Sequence, residues 1–220
     1  NVTAAGVEII TDARVEDVDS LQSQGYGAVI VAVGTHQPVR LRVPGEDLPG
    51  IMRANDVLKA AKLGEPVDIA GKRVIVIGGG NVAMDAARTA LRLGAASVQA
   101  VSLESLEQMP AHPQEIEEAE GEGVVFKNSC GVREFKGVEH VESVELMRCV
   151  SVVDEEGRFN PVYEDDGSAG SLSCDVVIVA AGLRPDTGAL GLPMNSSGTI
   201  QADPGTLQTS VPYVFAAGDV

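Results

Sequence analysis

Cysteine is scarce in this chain. Cys130, Cys149 and Cys174 stand far apart, odd in number and without a C-x-x-C pair. That spacing encodes neither a dithiol redox centre nor a zinc or iron–sulfur site, and it fits spectator thiols in a reducing, cytoplasmic compartment. Positive charge is also short: 16 Lys and Arg face 32 Asp and Glu, a formal charge of −16. Such a field repels nucleic acid and anionic membranes, so nucleic-acid binding is not expected. Long apolar runs are missing as well. The longest, Ala28 to Val33 and Val176 to Ala181, are too short to span a bilayer, so no membrane insertion is expected. The start carries no basic and apolar leader and no Met, and the chain reads as an excised piece of a longer one. Tyr26, Tyr163 and Tyr213 are followed four residues later by Ile30, Gly167 and Ala217, so the Tyr-x-x-x-Lys pair of a short-chain dehydrogenase is absent.

What is present centres on Val74 to Ala95, VIVIGGGNVAMDAARTALRLGA. An apolar strand runs into Gly78-Gly79-Gly80-Asn81-Val82-Ala83, and a helical pattern follows in Val82, Ala83, Ala86, Ala90 and Leu93. The turn fits G-x-G-x-x-A. Gly78 permits a tight bend, Gly80 lets the backbone approach a pyrophosphate, and Ala83 is small enough for the helix to pack on the strand. The start of the helix offers unpaired N–H groups and a positive dipole end to an anion. The bland alternative is a Gly-rich turn that binds nothing.

The pattern around this unit predicts an α/β fold. Strands are expected over Gly6 to Val15 and Tyr26 to Gly34, then a loop-rich connector and a helix over Arg53 to Leu63. From Lys72 come strand, helix, a strand over Ser97 to Val101, a helix over Pro113 to Glu120 and a strand over Val124 to Lys127, a βαβαβ half of a doubly wound sheet. Between Val132 and Asp154 the short segments predict an inserted antiparallel meander. Asp154 to Ser171 reads as a solvated loop, Val176 to Ala181 as a buried strand and Tyr213 to Ala216 as a last short one. Asp85 and Arg88 are expected to pair on the helix surface, and the acidic run from Ile116 to Glu122 to be a wet face. His36, His112 and His140 lack clustered partners and read as surface or capping residues.

Six segments taken together resemble the two-dinucleotide flavoproteins of the pyridine nucleotide–disulfide reductase superfamily. They are YGAVIVAVGT, VPGEDLPGI, VIVIGGGNVAMDAAR, MPAHPQEIEEAEGEGV, DVVIVAAGLRPD and TSVPYVFAAGDV, and in this order they cover nearly the whole chain. The resemblance is strongest to the glutamate synthase small-subunit group, with dihydropyrimidine dehydrogenase and ferredoxin-linked bifurcating reductases as relatives. It implies a Rossmann-like three-layer NAD(P)H-binding domain over residues 52–204, carrying the meander and flanked by partial FAD-domain segments at 1–51 and 205–220. Gly78, Gly79, Gly80, Asn81, Val82 and Ala83 would hold the nicotinamide dinucleotide. Ala181 and Gly182 would line its cleft, where Arg184 either contacts nucleotide phosphate or stabilises a turn, Gly34 and Thr35 would end a flavin-domain strand, and Asp219 after Gly218 would touch the FAD ribityl chain. The turn that grips the FAD pyrophosphate would lie upstream of Asn1, so FAD is expected only in the full-length parent, together with the missing half of the flavin domain.

One departure sets cofactor choice. Many NADPH-using relatives carry Tyr-Arg-Arg after the second strand, the arginines holding the 2′-phosphate, whereas this chain has Ser102-Leu103-Glu104. A carboxylate near that position is expected to bond free ribose hydroxyls and repel a 2′-phosphate, which favours NAD(H) over NADP(H); the bland alternative is a solvated Glu104 that points away. The resemblance implies an oxidoreductase module that passes hydride from NADH to FAD and onward to an iron–sulfur or glutamate synthase large-subunit acceptor. Two other classes stay open: a redox-inactive nucleotide-sensing or subunit-docking module, and a stand-alone NAD-dependent dehydrogenase.

Overall fold

A computed structural model describes residues 2–164 and 167–220. Along the chain, α1 (Val18–Ser23), β1 (Val29–Val31), β2 (Gln37–Pro38) and β3 (Ile51–Arg53) lead to α2 (Ala54–Leu63), β4 (Arg73–Ile77), α3 (Asn81–Arg92), β5 (Ser97–Val101), α4 (Pro113–Gly121) and β6 (Val125–Lys127). There follow β7 (Cys130–Lys136), β8 (Ser143–Val153), β9 (Phe159–Glu164), β10 (Ser171–Ser173), β11 (Val176–Val179), β12 (Leu183–Arg184) and β13 (Val214–Ala216). The contacts divide into two compact units, residues 40–182 and residues 1–39 with 183–220. This division falls at other positions than the boundaries at 51 and 204 expected from sequence. Leu41, Val43, Leu48 and Ile51 pack with the meander core and Ile51 pairs with Val177, which carries the segment from residue 40 into the larger unit.

The larger unit is built on a five-stranded parallel sheet in the order β3-β11-β4-β5-β6. Because side chains alternate along a strand, each central strand feeds two cores. Val74, Val76, Val98, Ala100, Val176 and Ile178 point to one side and pack against Val57 of α2, the small residues of α3 and Ala119 of α4. Ile75, Ile77, Val101, Val177 and Val179 point to the other and meet Val132, Phe135, Val144 and Leu146 of the antiparallel β7–β10 sheet. Helices, parallel sheet and meander therefore form the three expected layers. Burial on both faces explains why β4 and β11 read as unbroken apolar runs rather than alternating ones.

At the entry of this sheet Arg73 and Asp175 clasp β4 to β11. Arg73 donates from Nη2 to Asp175 Oδ1 at 2.7 Å, from Nε to Oδ2 at 3.0 Å and from its backbone N–H to Oδ2 at 2.8 Å. The Arg73 side chain and then its backbone N–H hold the Asp175 carboxyl down to about 2, against an ordinary value of 3.8. A depressed carboxyl contributes stability that is complete above the ordinary value and lost as pH falls through the folded one. The carboxylate side chain is 38% exposed, so solvent weakens the effect. Asp175→Asn should therefore lower the melting temperature at neutral pH by a few degrees, with the gap to wild type closing between roughly pH 4 and pH 2. A gap independent of pH would assign the loss to packing.

Three expectations are corrected here. Gly6 to Val15 forms no strand: its residues are exposed and none of them joins a ladder among the described residues, so its backbone is left to solvent. The strand expected over Tyr26 to Gly34 shortens to β1. The expected loop from Asp154 to Ser171 contains β9, because Asp154 accepts from the N–H of Glu156 and Arg158 and closes a turn that returns the chain along β8. An edge strand exposed along most of its length tolerates the polar composition that disguised it.

The smaller unit carries β1 and β13, paired in parallel, and β2 with β12, paired antiparallel. Val18, Val31, Val214, Ala216 and Val220 form its core. Among the described residues no helix is long and apolar enough to cross a membrane.

Candidate functional site

α3 begins differently from α1. Asp17 caps α1 by accepting from the Ser20 N–H at 2.7 Å, the usual solution for the free donors of a first turn. α3 starts from Gly80, which has no side chain to do this, and no side-chain bond caps it. Among the described residues the N–H groups of Gly79, Gly80, Asn81 and Val82 find no hydrogen-bond acceptor, while those of Ala83 and Met84 bond to the Gly80 carbonyl. Four successive donors thus lie past the carboxyl end of β4, at the positive end of a twelve-residue helix.

The glycines of the turn have different jobs. Gly78 lies at φ +142°, and a β-carbon there would stand 2.6 Å from the Ala180 carbonyl oxygen, so its bareness lets β4 cross the end of β11. Gly80 lies at φ −92°, ordinary for any residue, and a β-carbon there would meet nothing within 4 Å. The protein itself has no need of a bare backbone at Gly80; the open space suits a group that must come close to it. Ala83 is fully buried and packs the helix on the sheet, as its place in the motif requires. Val82 is exposed beside the donors.

Asn81 is engaged elsewhere through its side chain. Its Oδ1 accepts from the His112 N–H at 2.8 Å, and the Gly79 carbonyl accepts from the Ala111 N–H at 3.1 Å. Residues 109–112 are thereby tied across the turn, which engages the Asn81 side-chain oxygen and leaves Asn81 its backbone N–H and its Nδ2 donors to offer. Nothing in a single sequence signals this clasp, since its halves are about thirty residues apart.

Glu104 sits half-buried past the end of β5, the strand next to β4. Its backbone is fixed: the Glu104 carbonyl accepts from Ser102 Oγ at 3.0 Å and from the Ser129 N–H at 2.9 Å, and Asn128 Nδ2 donates to Ser102 Oγ at 2.9 Å. Its carboxylate accepts no hydrogen bond among the described residues, and Oε2 lies 2.7 Å from where a β-carbon on Gly79 would be. The structure therefore brings Glu104 to the glycine turn. Ser102, buried, and Asn128 are the participants that motif reading passed over.

Ala181 and Gly182 follow β11 at the same carboxyl end of the sheet, Gly182 at φ +94°. Arg184 belongs to β12 in the smaller unit. Its backbone carbonyl accepts from the His36 N–H at 3.1 Å, while its exposed guanidinium has no hydrogen bond or ion pair among the described residues. In that unit Val31 pairs with Ala216 and accepts from the Ala217 N–H at 3.0 Å, so Gly34 with Thr35 and Gly218 with Asp219 follow the carboxyl ends of neighbouring parallel strands. Asp219 is exposed, its carboxylate free of hydrogen bonds among the described residues.

Two readings of side chains change. Arg88 does not pair with Asp85; it reaches Glu115 at 2.9 Å, Glu118 at 2.7 Å and Glu122 at 2.8 Å, joining α3 to α4, with Arg92 also on Glu122. Three carboxylates around a guanidinium only 14% exposed make this a helix clamp, so the α4 acids are not all a wet face. The three cysteines are buried, and burial pushes the Cys174 thiol up to about 11. Among the described residues no group of three or more His, Cys, Asp and Glu is arranged to hold a metal ion.

Comparison with known proteins agrees with this architecture. The pattern of the pyridine nucleotide-disulphide oxidoreductase family matches residues 1–220. The NADP(+)-dependent formate dehydrogenase subunit beta of Moorella thermoacetica is 38% identical over 237 residues, which take in 100% of this chain and 32% of that protein. The glutamate synthase [NADPH] small chain of Escherichia coli is 35% identical over 242 residues, 99% of this chain and 51% of its own length. Among solved structures, Mycobacterium tuberculosis FprA in complex with NADPH superposes with a TM-score of 0.71 at 26% identity, covering 94% of this chain and 61% of that one. The chain thus spans about a third to about half of these sequence relatives.

Proposed function

Because the chain belongs to the pyridine nucleotide-disulphide oxidoreductase family, we propose that it is the dinucleotide-binding part of a flavoprotein oxidoreductase that takes hydride from NADH, and less readily from NADPH, for delivery to FAD and then to an iron–sulfur or partner-subunit acceptor. In this reading residues 52–204 hold the nicotinamide dinucleotide, and 1–51 with 205–220 belong to the flavin domain. The observation that carries it is the run of four successive N–H groups, Gly79 to Val82, without an acceptor among the described residues, beside the open space at Gly80. A pyrophosphate would satisfy them at once, with the α3 dipole adding to the attraction. This local attraction has to overcome a net charge of −16, which explains a need for several donors rather than one.

Hydride chemistry is supplied by the cofactors when bound. The chain's own contribution is placement: Gly79 to Val82 fix the phosphates, Glu104 accepts from the ribose hydroxyls, and Ala181 and Gly182 line the route toward the nicotinamide. Gly34, Thr35, Gly218 and Asp219 serve the flavin side, where the free carboxylate of Asp219 suits a ribityl hydroxyl. None of these steps asks a side chain to act as acid or base. The relatives named above carry NADP in their names, so NADH preference is a departure from them and rests on Ser102-Leu103-Glu104.

The test is anaerobic mixing of the natural full-length polypeptide with NADH. Loss of flavin absorbance within the mixing time is expected. Tight NADH binding without bleaching would make the chain a sensing or docking module.

A further inference from the structure

The dinucleotide fingerprint asks for glycine at two positions of the turn, corresponding to Gly78 and Gly80; the residue between them is free to vary. Here it is also glycine. A β-carbon at Gly79 would stand 2.7 Å from Glu104 Oε2, 3.1 Å from Ser102 Cβ and 3.5 Å from Pro110 Cδ. The first of these is the far end of a flexible side chain, and the other two are tight or ordinary contacts. The vacancy of a side chain at Gly79 is therefore filled by the Glu104 carboxylate.

We propose that Gly79 and Ser102 are specificity-determining positions that act through Glu104: bare Gly79 forms the seat for the carboxylate beside the phosphate turn, and Ser102, held by Asn128, fixes the backbone from which it projects. The inference rests on the reading of Glu104 as the ribose carboxylate and adds how that carboxylate is aimed. Geometry supports both halves. The Glu104 carbonyl is pinned by two donors, Ser102 Oγ and the Ser129 N–H, and the Ser102 hydroxyl is itself oriented by Asn128 Nδ2. The carboxylate has no hydrogen-bond partner among the described residues, so it stays free to accept from a ligand. A long acidic side chain left loose would sample solvent and discriminate weakly; seated, it holds its charge where a 2′-phosphate would come.

Gly79→Ala would displace the carboxylate without removing it, and Ser102→Ala would free the backbone without touching the seat. The readout is the ratio of NADPH to NADH dissociation constants in the natural full-length polypeptide at one ionic strength, because any loss of affinity common to both nucleotides drops out of a ratio. The ratio is expected to fall about tenfold in Gly79→Ala and severalfold in Ser102→Ala. Glu104→Gln should collapse the ratio in the wild-type background and change it less in Gly79→Ala, the non-additivity of two residues acting as one unit. A wild type without NADH preference would remove the reading on which this rests and the inference with it. A wild type that prefers NADH, with the ratio kept in both Gly79→Ala and Ser102→Ala or with Glu104→Gln fully additive to Gly79→Ala, would overturn the inference alone.

Discussion

Replacing Gly80 with valine is expected to abolish measurable NADH binding while the chain still folds. The φ of Gly80, −92°, is ordinary and a β-carbon there has no protein atom within 4 Å, so the valine enters open space. It meets the ligand instead, standing where pyrophosphate oxygens must reach the N–H groups of Gly79 to Val82. Hydrogen bonds to a charged group are worth about 1.5 to 3 kcal/mol each. Losing two raises the dissociation constant by roughly a hundredfold to ten-thousandfold. The cost to the fold is smaller, about 1 kcal/mol for exchanging a glycine N-cap for a β-branched residue. Calorimetric titration paired with thermal unfolding checks both parts. Unchanged NADH affinity in a folded variant would take the turn out of the site.

Cofactor choice carries the second large effect. A carboxylate about 4 Å from a 2′-phosphate is repelled by about 1 kcal/mol in water and about 4 kcal/mol at an effective dielectric of 20, so NADH should bind roughly ten to a thousand times more tightly than NADPH. Converting Leu103 and Glu104 together to arginine should reverse the order. It removes that repulsion and supplies two charge-assisted donors to the phosphate, each worth about 1.5 to 3 kcal/mol. The pinned backbone at residues 102–104 favours success, since Ser102, Asn128 and Ser129 hold the segment through groups the double change leaves alone. Titrating both nucleotides into wild type and variant at one ionic strength checks it. Equal affinities in the wild type would mean that Glu104 is solvated and that the 2′ position is read by other residues.

Strand, turn and α3 were legible because two independent signals coincide there: four β-branched residues entering a G-x-G-x-x-A turn, and alanines recurring at helical spacing that the structure buries as Ala83, Ala86, Ala87 and Ala90. The layering was legible for a similar reason, since runs such as Val176 to Val179 make sense only when both faces are covered. Gly6 to Val15 misled because an apolar pattern reports a face and says nothing about whether the segment docks on a sheet. β9 was hidden by composition, its acidic surroundings masking a register set by β8. Contacts between distant residues were the least legible. Arg88 has Asp85 three residues away, yet it binds carboxylates twenty-seven to thirty-four positions along the chain, because α4 lies beside α3 and offers three at once. The glycine in the middle of the turn is likewise tied to a distant residue, since Glu104 Oε2 stands 2.7 Å from where its β-carbon would be.

Backbone amide exchange, followed residue by residue as NADH is added, bears most directly on the claim that the start of α3 holds the dinucleotide. Gly79, Gly80, Asn81 and Val82 have no acceptor among the described residues, so their amides should exchange fast alone and slow by about tenfold or more once a pyrophosphate accepts from them, whereas Ala83 and Met84, already bonded to Gly80, should change little. If NADH binds and these four amides remain fast while protection appears elsewhere, the phosphate site lies elsewhere and the account built on this turn is wrong.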